Sequence, residues 1–221
     1  MRMNQGENRS LWGADIEKIF EFLMLAEKLK VVKRDNFKSD GEFESDADHS
    51  WMLALMAVLF EKKVKTKVDI GRVMKIIAVH DLAEAITGDV PLYKQGDGEE
   101  VKKAKDEAER AAMEKLREML PGELGEEVFE LWEEYEGRET AEARYVKALD
   151  KLEAITQSLA YEDISYWGDY GDGKFYYDNV LRDRRRGFWE HEGSFVEYAE
   201  KLKSVTREKM IEAGLDVAEY E

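Results

Sequence analysis

Asp69-Ile70-Gly71-Arg72-Val73-Met74-Lys75-Ile76-Ile77-Ala78-Val79-His80-Asp81-Leu82-Ala83-Glu84-Ala85-Ile86-Thr87-Gly88-Asp89-Val90-Pro91 sets Val73, Ile76, Ile77 and His80 three and four residues apart. That is the spacing of one helical face. Asp69 is a candidate N-cap, Gly88 suits the position after a helix end, and Pro91 cannot continue a helix. The segment predicts a helix through to about Ile86 that stops at Thr87-Gly88-Asp89-Val90-Pro91, the sharpest boundary in the chain.

The same periodicity runs outward in both directions. Residues 14 to 30 carry Ile16, Ile19, Phe20, Leu23 and Leu29 at helical spacing, with Asp15 in the first turn where the helix dipole favours an acid. A polar, glycine-containing stretch spans Arg34 to Asp48. The next helix, about 48 to 63, is apolar nearly all round (Trp51, Met52, Leu53, Leu55, Met56, Val58, Leu59), which predicts a path through the centre of the core. Residues 99 to 119 alternate Lys and Glu blocks around a thin stripe of Val101, Ala104, Ala108, Ala111 and Leu116. They predict a surface helix with i, i+4 ion pairs.

Pro121 starts another helix that ends near Gly137, and a long helix follows from about Thr140 to Glu162 with Tyr145, Leu149, Leu152, Ile155 and Leu159 as its buried stripe. Gly168 to Lys174 reads as a loop, and a last amphipathic helix spans about Ser194 to Ala213. Proline occurs only at positions 91 and 121, and β-branched alternation is almost absent, so the expected fold class is all-α. No repeat, linker or composition shift divides the chain, and one domain over 1–221 is expected.

A chain of 221 residues can bury a sizeable core without staples. It has no cysteine, which excludes disulfides, thiolate metal sites, iron–sulfur clusters and a cysteine nucleophile. Its 34 Lys and Arg against 50 Asp and Glu give a formal net charge of −16, which repels the backbone of polymeric nucleic acid. A small phosphorylated substrate stays compatible, because one divalent cation and one arginine reverse the local field. The first ten residues lack the apolar core of a signal peptide and no apolar stretch approaches bilayer length, so a soluble, cytoplasmic protein without a membrane partner is expected. Charged residues at 38%, with few Asn and Gln, match the composition of heat-adapted proteins.

Chemistry concentrates at two of the three histidines. His80 lies on the apolar face of its helix beside Asp81, and a buried Asp left unpaired would cost several kcal/mol, of order 2–7 for a polar group. A satisfied structural hydrogen bond is the plain account of such a pair. Asp150 adjoins the buried stripe of the long helix, and His49 opens the most apolar helix, following Asp46 and Asp48. A solvated ring at a helix start is the plain account of His49. Together the two imidazoles and two carboxylates make a mixed nitrogen and oxygen set that suits a divalent transition ion and leaves positions open for water and a substrate oxygen.

His49, His80-Asp81 and Asp150 in this order resemble the H…HD…D signature of the HD-domain metal-dependent phosphohydrolases. The likeness extends to Asp48-His49-Ser50-Trp51, Val79-His80-Asp81-Leu82-Ala83-Glu84-Ala85, Thr87-Gly88-Asp89-Val90-Pro91, Leu131-Trp132-Glu133-Glu134-Tyr135-Glu136 and Lys147-Ala148-Leu149-Asp150-Lys151. These are similar to the 5′-deoxynucleotidase branch, the YfbR and HDDC2-like proteins, over roughly residues 16 to 165; the C-terminal helices from about 170 lie outside the likeness and are expected to pack on it. The resemblance implies an all-helical HD bundle, a homodimer, and hydrolysis of deoxyribonucleoside 5′-monophosphates to nucleoside and phosphate. It implies one divalent ion per subunit (Co, Mn, Ni, Zn, Fe or Mg), held by His49, His80, Asp81 and Asp150.

The resemblance further implies Arg34 as a phosphate-binding arginine, a role that suits a planar guanidinium. Bacterial members follow that arginine with a tryptophan implicated in choosing deoxyribose over ribose, where this chain has Asp35. Glu84 and Asp89 fall at positions with acid–base and water-positioning roles; Asp89 is assigned to the attacking water and Glu84 to the leaving 5′-oxygen, with the exchange of roles left open. Alternatives are an HD-type phosphodiesterase or nucleotide di- or triphosphohydrolase, and a non-enzymatic helical dimerisation module with a structural metal. His191 reads as solvated surface, Tyr161, Tyr166, Trp167 and Tyr170 as packing aromatics, and Arg182 to Arg186 as a solvated face.

Overall fold

Capping and periodicity set most of the elements in the computed structural model, which describes residues 13–89, 99–164, 180–182 and 185–215. Helix α1 (Ala14–Ala26) tightens into a 3-10 turn at Glu27–Lys30. Strands β1 (Lys33–Phe37) and β2 (Phe43–Ser45) form an antiparallel hairpin with Lys33 opposite Ser45 and Phe37 opposite Phe43. Gly41, at φ +85°, makes the turn. The helices that follow are α2 (Asp46–Phe60), α3 (Ile70–Val79), α4 (Glu84–Thr87), α5 (Glu99–Met119), α6 (Gly122–Gly137), α7 (Ala141–Ser158) and α8 (Gly193–Glu212).

The mostly helical bundle agrees with the sequence expectation, and the hairpin is the addition. Alternation did not reveal it because β1 and β2 are short and largely polar. Two side chains tie the hairpin to α7: Asn36 Nδ2 donates to the Ala154 carbonyl at 3.2 Å, and Gln157 Nε2 donates to the Phe37 carbonyl at 2.7 Å. These bonds hang Arg34 and Glu44 over the middle of the bundle.

At the centre, α2, α3 and α7 pack on one another, and α5 and α6 pair against α3 and α4. Leu53, Val73, Ile76, Leu149 and Leu152 are fully buried between them. Of the expected α7 stripe, Tyr145, Leu149, Leu152 and Ile155 are buried, while Leu159 is half-buried at the C-cap because the helix ends at Ser158, short of Glu162. Three further expectations are corrected. First, α2 does not cross the core on all sides: Trp51, Leu55, Val58 and Leu59 are exposed, while Asp46, His49, Leu53, Met56 and Ala57 face inward. Second, the inward side of α5 is Ala112, Met113 and Leu116 with a half-buried Lys105–Glu109 pair at 3.3 Å, not Val101, Ala104, Ala108 and Ala111, which are exposed.

Third, the helix expected to run through Ile86 breaks at His80. Leu82 N bonds Val79 O, Glu84 N bonds Asp81 O, and Ala85 N bonds Leu82 O, all three residues back. In that tighter winding residues three apart eclipse, so Asp81 and Glu84 come to one edge. Gly88, at φ +73°, then ends α4 as expected, whereas Val90 and Pro91, the Gly168–Lys174 segment and Tyr166, Trp167 and Tyr170 lie outside the described residues. No described helix is long and apolar enough to cross a membrane.

Candidate metal centre

Local chemistry brings each polar side chain to the same place. Ser45 caps α2 in a reciprocal box with Asp48, which puts His49 one turn inside the helix and fully buried. Asp69 caps α3 through the amides of Gly71 and Arg72, and the turn beyond α3 delivers His80 and Asp81. The side chain of Thr140 caps α7, whose inward face carries Asp150 and, one turn later, Glu153.

The two imidazoles lie 5.4 Å apart between ring centroids. His80 Nδ1 donates to the Ile77 carbonyl at 2.8 Å, which in the neutral ring makes Nε2 the lone-pair nitrogen, and Nε2 lies 3.1 Å from Asp81 Oδ2. His49 Nδ1 bonds Glu153, and its Nε2 faces Asp150 Oδ1 at 3.4 Å and Asp81 Oδ2 at 4.0 Å. Both Nε2 atoms are buried without a hydrogen-bond partner. Asp150 divides its oxygens: Oδ2 takes the Tyr135 hydroxyl at 2.6 Å and Lys151 Nζ at 2.9 Å, and Oδ1 is left for the His49 side.

A ligand atom from each of His49, His80 and Asp81 falls within 4.8 Å of the other two, and the same holds for Asp46, Asp81 and Glu84. Arg34 enters from β1, its Nη1 3.2 Å from Asp81 and 3.6 Å from Asp46, its Nε 3.5 Å from Glu44. Thus the structure brings Arg34, His49, His80, Asp81, Glu84 and Asp150 together. Asp89, half-buried just past Gly88, feels the charges of Arg34 and Asp81. His49 has no solvated ring, so the plain account of it fails; His191 is exposed, as expected.

Sequence reasoning missed Glu44 and Glu153, and it noted Asp46 only as a neighbour. All three are essentially buried. Glu153 had a signal, its place one helical turn after Asp150; Glu44, on a short strand, had none. Buried charge this dense perturbs titration. Burial, then Glu153, pushes Glu44 up to about 8; burial, then Asp81, pushes Asp46 up to about 6; and burial with Asp81, Asp46 and Asp89 pushes Glu84 up to about 10. Asp81 resists burial and stays well below the carboxylate range because His80, Arg34 and His49 surround it. For His49, burial and Arg34 act downward, but Glu153 and Asp150 prevail and raise it to about 10.

Seven carboxyl groups (Glu44, Asp46, Asp81, Glu84, Asp89, Asp150 and Glu153) outnumber Arg34, Lys105, Lys147 and Lys151 here, and buried nitrogen and oxygen atoms without hydrogen bonds lie among them. That donor set fits a divalent cation with nitrogen and oxygen preference. A model of the HD domain matches residues 26–181. The chain is 40% identical over 148 residues to "5′-deoxynucleotidase HDDC2" of Xenopus laevis, covering 66% of this chain and 70% of that protein. It is 33% identical over 179 residues to "5′-deoxynucleotidase HDDC2" of Homo sapiens, covering 77% and 84%. Its structure superposes on that of a "Predicted metal-dependent phosphohydrolase from Magnetospirillum magnetotacticum MS-1" with a TM-score of 0.71 at 29% identity, covering 92% of this chain and 99% of the other.

Proposed function

The chain belongs to the HD-domain family, and on that premise we propose that it is a divalent-cation-dependent 5′-deoxynucleotidase, hydrolysing deoxyribonucleoside 5′-monophosphates to nucleoside and phosphate. His49, His80, Asp81 and Asp150 hold the cation. The observation that carries this reading is the pair of buried Nε2 atoms on His49 and His80, neither in a hydrogen bond and both within 4.0 Å of Asp81 Oδ2. The substrate class comes from the HDDC2 relatives.

A divalent cation held there would supply Lewis acidity, offsetting phosphate charge and lowering the pKa of water. The chain's own residues do the rest. Arg34 bonds Asp81 through Nη1, lies within ion-pair distance of Glu44 and Asp46, and is the cationic side chain offered to the substrate phosphate. Glu84, pushed up to about 10, keeps its proton at neutral pH, the state needed to protonate a leaving 5′-oxygen. Asp89, less buried and past the helix end, orients the attacking water. Asp150 is held by Tyr135 and Lys151 with one oxygen presented inward.

A homodimer is part of the proposal. Large apolar side chains stay exposed on α1 (Ile16, Phe20, Leu23, Met24) and on α2 (Trp51, Val58, Leu59), and apolar surface of that extent calls for cover. Phosphate release from paired deoxy- and ribonucleoside monophosphates, with and without chelator, tests the activity. Cation-dependent release from the deoxy substrates is expected; no release from any monophosphate, or release only from diesters or triphosphates, would refute it. Light scattering on the same sample reads the dimer.

A further inference from the structure

We propose that Glu153 is a positioning residue that makes His49 a cation ligand, by accepting a hydrogen bond from Nδ1–H and so turning Nε2 towards Asp81 and Asp150. The inference rests on the reading of His49 as a ligand. A neutral imidazole offers a lone pair at one nitrogen only while the other carries the proton. At His80 the Ile77 carbonyl fixes that choice. At His49 a carboxylate does so, and an anionic acceptor also makes the ring a stronger donor to a cation.

The arrangement is built by one helix. Asp150 and Glu153 stand one turn apart on α7 and meet the ring on opposite edges, Asp150 Oδ1 at 3.4 Å from Nε2 and Glu153 at Nδ1. Ring rotation is thereby opposed from both sides. A merely structural hydrogen-bond set would satisfy its members, yet in the same pocket Glu153 Oε1 and Glu44 Oε2 are buried without a hydrogen bond, Glu44 Oε2 having only the Arg34 guanidinium at 3.5 Å. Among the described residues, the one hydrogen bond of the Glu153 carboxylate is to His49.

Zn2+ titration of the chelated full-length chain tests this, with Glu153→Gln, which keeps an acceptor oxygen but not the charge, and Glu153→Met, which keeps the volume but no acceptor. The Zn2+ dissociation constant should rise about 10–100-fold in Glu153→Met and by less in Glu153→Gln. Nitrogen-15 spectra of the zinc-loaded wild type should show the His49 proton on Nδ1 in a strongly downfield position, lost in Glu153→Met. Wild-type Zn2+ affinity in both variants overturns the inference alone. So does a wild-type spectrum with zinc on Nδ1, which decides the matter even if Glu153→Met fails to fold. A wild-type chain that binds no Zn2+ overturns the functional reading together with this one.

Discussion

Two places in this molecule bury carboxylates, and they do so in opposite ways. Glu192, at the start of α8, is almost fully buried and accepts the amide protons of Lys65 at 2.8 Å and Thr66 at 2.9 Å, locking the C-terminal helix to the loop between α2 and α3. Burial acts to raise its pKa, but those bonds outweigh burial and lower it. Around Arg34 the reverse holds: Glu44, Asp46 and Glu84 are buried with unpartnered oxygens and pushed upward. A carboxylate whose bonds are complete is part of the scaffold, and a set left incomplete by its own fold is arranged for something else.

If that distinction holds, the largest effect comes from breaking the incomplete set. Asp81→Ala removes the oxygen shared by both imidazoles and Arg34. It should abolish cation retention in elemental analysis and lower kcat/KM on the order of 10³-fold, the several kcal/mol that a cation supplies. Glu84→Gln comes next: it keeps the fold and removes the exchangeable proton, so kcat should fall about 10²–10⁴-fold with the bound cation retained. Retained activity in steady-state assays of either variant would dissolve the comparison.

The pH dependence of stability sharpens it. Glu44, Asp46 and Glu84 have folded pKa values raised to about 8, about 6 and about 10, so their contribution is complete below the ordinary carboxylate range and is lost as pH rises towards those values. His49, raised to about 10, has the same sign, its stabilisation complete below the ordinary imidazole value and lost as pH rises through about 10. Asp81 and Asp150 are held low and titrate below this window. Calorimetric Tm of the chelated protein should therefore fall from about pH 4.5 up to about pH 10, and the increment from added cation should grow over the same interval. A cation increment that does not change with pH would contradict this.

The smallest effect belongs to the satisfied side. Glu192→Ala leaves the Lys65 and Thr66 amides without their acceptor and should cost about 1–3 kcal/mol in urea unfolding, with kcat and KM unchanged. Loss of activity in a folded Glu192→Ala protein would show that the two regions are coupled.

How much of this was readable in the sequence follows from which physics each part obeys. The starts of α3 and α7 were legible because the side chains of Asp69 and Thr140 cap them locally, and α6 and α8 were legible from their local periodicity. The inward face of α2 was not, because the fold buries Asp46 and His49 and leaves Trp51 and Leu59 outside, against the rule that apolar residues face the core. Lys105 and Glu109 make one of the i, i+4 pairs expected of α5, but they are half-buried, and Lys105 feels the charges of Glu84 and Asp89. Arg34, His49, His80, Asp81, Glu84, Asp89 and Asp150 were legible through the resemblance of their surrounding motifs. Glu44 reaches the site only through hairpin pairing and Glu153 only through helix packing, contacts between residues far apart in the chain.

Isothermal titration of Co2+ into the chelated, full-length protein tests the central claim most directly. Specific binding with proton release is predicted, since His49 must give up a proton to coordinate, and the signal should vanish in His49→Ala. A titration without specific binding, or one unchanged by His49→Ala, would contradict the assignment of the buried histidine and carboxylate set to a cation.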